Sequence, residues 1–457
     1  MPQRIFEYLA ALNLKGMYPN LYYVFKDWFG VEWKALYLLN TFGLMVALGF
    51  VAAAVVLSSE LKRKEKQGLL LPREEAITVG MPASFLDLFV NFVTGFVFGY
   101  KLLGLLLNKP DDVTPQTYIF SRDGNLLAGI IVGAVLIALK WWEKNKQKLK
   151  EPEQRNVRIW PHDRVGDIII LGLIFGILGA KLFDAMENLD ELISDPIGTL
   201  FSGGGLTFYG GLILAAIAIC WFAYKKGIKL VHLTDAVAPA LMIAYAVGRI
   251  GCQVAGDGDW GIYNSAYLSD AYGKVTECTP GEFKQQLNKY ASYHLERRIL
   301  DSGNVYTYIP AARTFPSLDA VPHLSLKAPS FLPKWMVAYS YPMNVNKDGK
   351  KIPGCTEEHC RVLPQPVFPT AFYETVVCTL LFLMLWAYRK RIKIPGIMFG
   401  AYLIINGFER FFIEKIRVNH LYSVLGFQLS QAEIIAFFLI LAGIVFIVIA
   451  KLKYARA

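Results

Sequence analysis

Charge is scarce in this chain. Asp, Glu, Lys and Arg make up 18% of its 457 residues, against 54% hydrophobic residues and a mean hydropathy of +0.36. A soluble domain of this length carries more charge and shorter apolar runs, so that class is excluded first. Histidine is scarce as well: His162, His232, His294, His323, His359 and His420 are all there are. No internal repeat supports a transporter built on alternating halves. A cleavable signal peptide is not expected either, because residues 1–34 are too polar and too aromatic for a signal core. They read as an interfacial arm, with Tyr22, Tyr23, Trp28 and Trp33 at headgroup depth.

What the sequence does have is a series of apolar runs of 17 or more residues, the length a helix needs to cross a hydrocarbon layer about 30 Å thick. They predict an all-α polytopic membrane protein with about nine transmembrane helices, at 35–57, 83–107, 125–142, 166–187, 206–224, 231–251, 369–388, 394–413 and 431–450. The net charge of +10 sits in short basic clusters between these runs, at 61–73, 140–158, 224–229, 388–393 and 451–457. That placement sets membrane orientation and is not a nucleic-acid footprint, so no nucleic-acid partner is expected. If all nine runs cross, the five clusters share one side. That side is expected to be the cytoplasm, with the N-terminus outside and the C-terminus inside.

The expected organisation is an arm (1–34), a membrane core (35–251, including a helical pair at 83–142), an extracytoplasmic head insert (252–368) and a second core segment (369–457). The insert is rich in Tyr, Pro and charge and has no low-complexity tract. Cys252, Cys278, Cys355 and Cys360 lie on its side of the membrane, so disulfides are expected, with three possible pairings. The Cys355–Cys360 spacing with His359 is too sparse a ligand set to predict a metal.

Five stretches carry chemistry, and by this topology all face the outer leaflet. VGRIGCQVAGDGDWG (247–261) places Arg249 between Gly248 and Gly251 at a helix end, followed by Asp257 and Asp259 in a loop expected to fold back tightly. SGGGLTFYGG (202–211) opens a span with Tyr209, Gly210 and Gly211, where backbone N–H groups and the helix N-terminus favour an anion. FPTAFYE (368–374) puts Pro369 at a helix start and Glu374 about one turn inside the membrane, where a carboxylate needs a partner. NGFERFFIEKIRVN (406–419) spaces Asn406, Arg410, Glu414 and Arg417 along one helix face, a stripe suited to gripping phosphate. GILGAKLFDAMEN (176–188) combines small residues for close helix contact with Lys181. Cations exceed carboxylates in this set: Lys181, Arg249, Arg410 and Arg417 against Glu374 and Glu414. The excess points to an anionic ligand, and at this depth to a phospholipid headgroup in the membrane.

These stretches resemble the prolipoprotein diacylglyceryl transferases. The likeness runs in order through FGLM (42–45), GAKLFD (179–184), GGLTFYGGLI (204–213), GRIGC (248–252) with GDGDWG (256–261), PTAFYE (369–374) and GFERFFIE (407–414). The resemblance implies transfer of the diacylglyceryl group of phosphatidylglycerol to the lipobox cysteine of a prolipoprotein peptide. A thioether forms and glycerol phosphate leaves, in the bacterial cytoplasmic membrane, with no cofactor or metal.

Catalysis is expected to rest on a phosphate clamp of Arg249 and Arg410, with Asp257, Glu374 or Tyr209 helping the thiol proton leave. Arg249, Arg410, Glu414, Arg417, Lys181, Gly210, Gly211 and Asn406 would contact substrate. The chain also departs from the family. Tyr209 and Phe368 stand where the family commonly has histidine, Phe42 where it has tyrosine, and Cys252 where it has asparagine. A family glutamate corresponds best to Asp257, in a loop one residue longer. None of the six histidines falls in a matched motif, so an imidazole base is not expected at either position. A non-catalytic lipid-binding or transport protein on the same fold is the alternative reading.

Overall fold

The computed structural model describes residues 17–108, 118, 121–196, 207–295, 298–301, 304–308, 314–419, 421–424 and 426–455. Residues 1–16 of the expected arm, 202–206 of the glycine-rich stretch, and His420 lie outside the described residues. The chain is mostly helical and divides into two compact units, Leu57–Leu233 and the combination of Met1–Val56 with Thr234–Ala457. The principal helices are α1 (Leu21–Phe29), α2 (Thr41–Lys66), α3 (Phe85–Asn108), α4 (Leu126–Lys146), α5 (Val165–Glu187), α6 (Phe208–Lys225), α7 (Leu230–Ala255), α8 (Pro280–Lys289), α9 (Thr370–Tyr388), α10 (Ile397–Glu414) and α11 (Gln431–Ala455). A π-helical stretch, Gly99–Leu103, interrupts α3.

Among the described residues, seven helices are long and apolar enough to cross a membrane: α2, α3, α4, α5 (counted from Pro161), α7, α9 and α11. Each expected run is a helix, and the two outside this set differ for physical reasons. The apolar part of α6 is short, Tyr209–Lys225, and α10 carries Glu409, Arg410 and Glu414 within 18 residues.

Two expectations need correction. The chain is not purely α-helical: short two-stranded pairings occur, and Arg73–Val79 pairs antiparallel with Glu153–Ile159 where only polar loops were expected. Second, α7 does not end at residue 251. It runs one turn further to Ala255, and the chain turns only at Gly256 and Gly258, whose φ values of +65° and +99° favour glycine. At that turn the Asp257 N–H reaches back to the Cys252 carbonyl at 3.4 Å.

In the unit Leu57–Leu233, α5 and α6 approach closely because small residues face each other. A Cβ on Gly211 would lie 2.7 Å from the Gly176 carbonyl oxygen, and one on Gly179 2.7 Å from the Leu214 Cβ. The close contact expected for the Gly179 stretch is thus present, and Gly210 and Gly211 serve it. The charged ends of this unit are tied by Arg164 to Glu75 at 2.6 Å and by the His162 ring to Glu65 at 2.7 Å.

In the other unit, α7, α9 and α10 share an apolar core of Ala238, Met242, Ala246, Cys378, Leu385 and Met398. α11 packs on α10 through Gly400, Gly407 and Gly443. The segment between α7 and α9 has a core of its own, built on Trp260, Tyr263, Phe283, Leu287, Tyr293, Val321, Tyr341, Leu363 and Val367, with Met17 joining it. Cys355 and Cys360 form a disulfide, so those sulfurs are not metal ligands, while Cys252 and Cys278 are free thiols. The loop they close presents Glu357 to Lys26 of α1 at 2.8 Å.

A Cβ on Gly443 would meet Ile404 Cγ1 at 2.7 Å and the Ile404 backbone nitrogen at 3.0 Å. Gly443→Val should therefore force α10 and α11 apart and destabilise the protein by about 1–3 kcal/mol. Thermal unfolding of the purified variant in detergent measures this, and an unchanged midpoint would show that the contact is not close.

Candidate active site

Among the described residues, Glu374 is the carboxylate most completely shielded from solvent. It sits in the second turn of α9 with no solvent exposure. One carboxylate oxygen receives Nε of Arg249 and the Tyr245 hydroxyl at 3.0 Å, both from α7. The other faces Arg417 Nη1 at 3.3 Å and Arg410 Nη1 at 3.8 Å. Tyr245 and Arg249 are four residues apart on a helix, so they share a face, and the guanidinium also lies over the Tyr245 ring at 5.3 Å. Three helices thus converge on a single carboxylate.

The second anchor is Asp259, which the sequence reading passed over in favour of Asp257. Its two oxygens pair with Arg249 and Arg417. Backbone geometry puts it there. The Gly261 N–H donates to the Phe368 carbonyl at 2.8 Å, Phe368 N–H to Ile262 at 3.0 Å, and Ile262 N–H to Ile416 at 2.9 Å. The Thr370 hydroxyl donates to the Asp259 carbonyl at 2.6 Å. The loop after α7, the entry to α9 and the exit of α10 are therefore laced together. Only glycine fits at the crossing, because a Cβ on Gly261 would lie 2.6 Å from the Ile416 oxygen and 2.9 Å from Thr370 Cγ2.

Arg410 is held differently. Nη2 lies 3.5 Å from Glu414 and Nη1 3.8 Å from Glu374, and Nη1 is buried without a hydrogen-bond partner among the described residues. Glu414 accepts from the Asn419 side chain instead. Arg410, Glu414 and Arg417 follow the expected stripe. Phe408 and Phe412 project outward from α10, 47% and 67% exposed. Asn406 lies one turn before Arg410, half-buried.

Glu409 was missed altogether. It is buried, and neither carboxylate oxygen has a hydrogen-bond partner among the described residues. A count confined to the regularly spaced stripe hides it, because it sits one residue before Arg410. Gly248 opens onto free space, whereas Gly251 packs against Phe42 and Met45 of α2.

Asp259 brings the carboxylates level with the guanidiniums. Glu374, Asp259 and Glu414 stand against Arg249, Arg410 and Arg417, with the carboxyl groups of Glu409 and Asp257 beside them, so the excess of cations read from the sequence is absent from the cluster. Lys181, Tyr209, Gly210 and Gly211 belong to the other unit. Cys252, Asp257 and Asp259 each offer a ligand atom within 4.8 Å of the others. A cation there would compete with two guanidiniums for Asp259, so the cluster does not fit a metal. Cys252 Sγ lies 3.5 Å from Arg249 Nη1.

The two loop aspartates are pushed apart electrostatically. Burial and the neighbouring charge of Asp259 raise Asp257 above the usual carboxylate range. Burial would raise Asp259 too, but Arg417 and Arg249 outweigh it and hold it at about 2. An unfolded aspartate titrates at about 3.9. The stabilisation from Asp259 is therefore complete above that value and is lost as pH falls towards about 2. Asp259→Asn should lower stability at neutral pH and flatten its decline between pH 4 and 2, as followed by thermal unfolding. A parallel, unflattened decline would contradict the pairing.

The sequence model of the family described as prolipoprotein diacylglyceryl transferase matches residues 125–449. Three curated relatives are all named phosphatidylglycerol–prolipoprotein diacylglyceryl transferase. The protein of Chlorobaculum tepidum is 28% identical, over 76% of this chain and 93% of its own length. That of Clostridium tetani is 25% identical, over 71% and 91%. The Enterococcus faecalis protein is also 25% identical, over 63% and 76%. With its apolar helices and this match across most of its length, the chain belongs to the prolipoprotein diacylglyceryl transferase family.

Proposed function

We propose that this protein transfers the diacylglyceryl group of phosphatidylglycerol to the lipobox cysteine of prolipoproteins. The observation that carries the reading is Arg410: a half-buried side chain with one buried, unfilled donor, Nη1, in a cluster whose other arginines are already engaged. A phosphodiester supplies the missing acceptor. Arg249 and Arg417, fixed by Glu374 and Asp259, provide the surrounding positive field.

In the reaction the thiol sulfur forms a bond to the glyceryl carbon while the carbon–oxygen bond to phosphate breaks. The phosphate oxygen keeps the electron pair, and its growing charge falls on Arg410. The thiol proton goes to Asp257, whose raised affinity for protons suits it to accept one, and then to water. With no histidine in the matched motifs, Asp257 is the carboxylate assigned this role. Glu414 and Asn406 flank Arg410 on α10. Tyr209, Gly210, Gly211 and Lys181 join the proposal on their motif and on the family resemblance.

The same reading places the protein in the bacterial cytoplasmic membrane with nine crossings, the N-terminus outside and the C-terminus in the cytoplasm. Segment 252–368 is then an extracytoplasmic head, residues 1–34 an interfacial arm, and 83–142 an added helical pair. The distribution of Lys and Arg supports this orientation.

Two outcomes test the assignment with phosphatidylglycerol and a lipobox peptide. Arg410→Gln should lower kcat/KM by at least about 100-fold, equivalent to roughly 2.7 kcal/mol of transition-state stabilisation. Full activity in that variant would remove the phosphate role. For Asp257 the accepting form is the carboxylate, present above its pKa, so activity should rise with pH through a value above the usual carboxylate range. Asp257→Asn should abolish that limb of the pH profile. A limb that persists in the variant would assign the proton to another group.

A further inference from the structure

A buried polar group with unfilled hydrogen-bonding capacity is expensive to maintain, so one beside a substrate site calls for a ligand. Glu409 is such a group. It is 7% exposed, and both oxygens lack a partner among the described residues. It lies in the last turns of α10, next to Arg410 in the chain. The charged groups whose fields reach it are Glu374 from α9, Arg249 from α7, and Arg410 and Arg417 from α10 and its exit. Tyr245, Cys378 and Tyr402 are its polar neighbours on the three helices.

The arginines in that set are already matched by Glu374, Asp259 and Glu414. No counter-cation is therefore left for Glu409, which is held at least cost as the neutral acid, and a neutral hydroxyl donor satisfies its oxygens without adding charge. Resting on the reading that Arg410 holds the lipid phosphate, we propose that Glu409 is a specificity-determining residue that accepts hydrogen bonds from the hydroxyls of the glycerol headgroup. The headgroup glycerol is joined directly to the phosphate, and Glu409 lies within the field of the same Glu374, Arg249, Arg410 and Arg417 cluster, which places its carboxyl group near the phosphate site. A site that commits a buried acceptor to a substrate hydroxyl discriminates strongly against analogues lacking it, because the acceptor is then left unpaired. This assigns the choice of headgroup to Glu409 and the grip on phosphate to Arg410.

The test compares phosphatidylglycerol with phosphatidylpropanol, the analogue missing both headgroup hydroxyls, using the full-length protein and a fixed lipobox peptide. Wild type should favour phosphatidylglycerol by about 10-fold or more in kcat/KM. Glu409→Leu and Glu409→Met, which remove the acceptor, should lower kcat/KM for phosphatidylglycerol by about that factor and leave the analogue within about twofold, so that the preference disappears. Equal losses on both lipids, or an undiminished preference, would overturn the proposal, and the analogue serves as the internal control for misfolding. Arg410→Gln separates the two levels. If it lowers transfer from both lipids equally while the Glu409 variants keep the preference, the headgroup proposal fails and the phosphate reading stands. If it leaves both lipids unaffected, the phosphate reading fails and takes the headgroup proposal with it.

Discussion

The architecture of the site depends on one constraint: Glu374 is a carboxylate with no contact with solvent, carried on a helix long and apolar enough to cross a membrane. Removing an ion from water costs several kcal/mol, and the cost is met only when partners surround it with good geometry. Here the partners are three guanidiniums and a tyrosine hydroxyl, contributed from α7, α10 and the turn beyond α10. None of these groups is tolerable alone at that depth. Their mutual dependence fixes the rotation of α7, α9 and α10 about their own axes, which apolar packing alone leaves loosely defined.

The loop after α7 extends this network. Gly261 lets the loop cross between the Phe368 and Ile416 backbones, and the crossing delivers Asp259 to Arg249 and Arg417. The large segment between α7 and α9 therefore has its two ends joined at the site, whatever its own core adds. Two arginines become scaffold, fixed by carboxylates on both sides. The third keeps an unfilled donor, and that inequality among otherwise similar residues is what gives the cluster a direction for chemistry.

Much of this was legible in the sequence because charges within apolar runs stand out. Arg249, Glu374, Arg410, Glu414 and Arg417 were all found that way, and the structure brings them together. The helices were legible for the same reason, down to the close contact at Gly179. What was hidden depended on tertiary geometry. Asp257 and Asp259 differ by two positions in a glycine-rich loop, and only the backbone crossing at Gly261 decides which one meets the arginines. Tyr245 looked like one aromatic among many, although its spacing from Arg249 places both on one helix face. Glu409 was masked by the regular stripe beside it. The end of α7 was hidden because Gly248 and Gly251 disfavour helix locally, yet the helix continues past them to Ala255, with α2 packed against Gly251.

The most direct test of the account is a structure of the protein with phosphatidylglycerol bound. The lipid phosphate should lie within hydrogen-bonding distance of Arg410 Nη1, with Arg249 and Arg417 still paired to Glu374 and Asp259. A phosphate seated away from Arg410, or a cluster that has to come apart to admit the lipid, would contradict it.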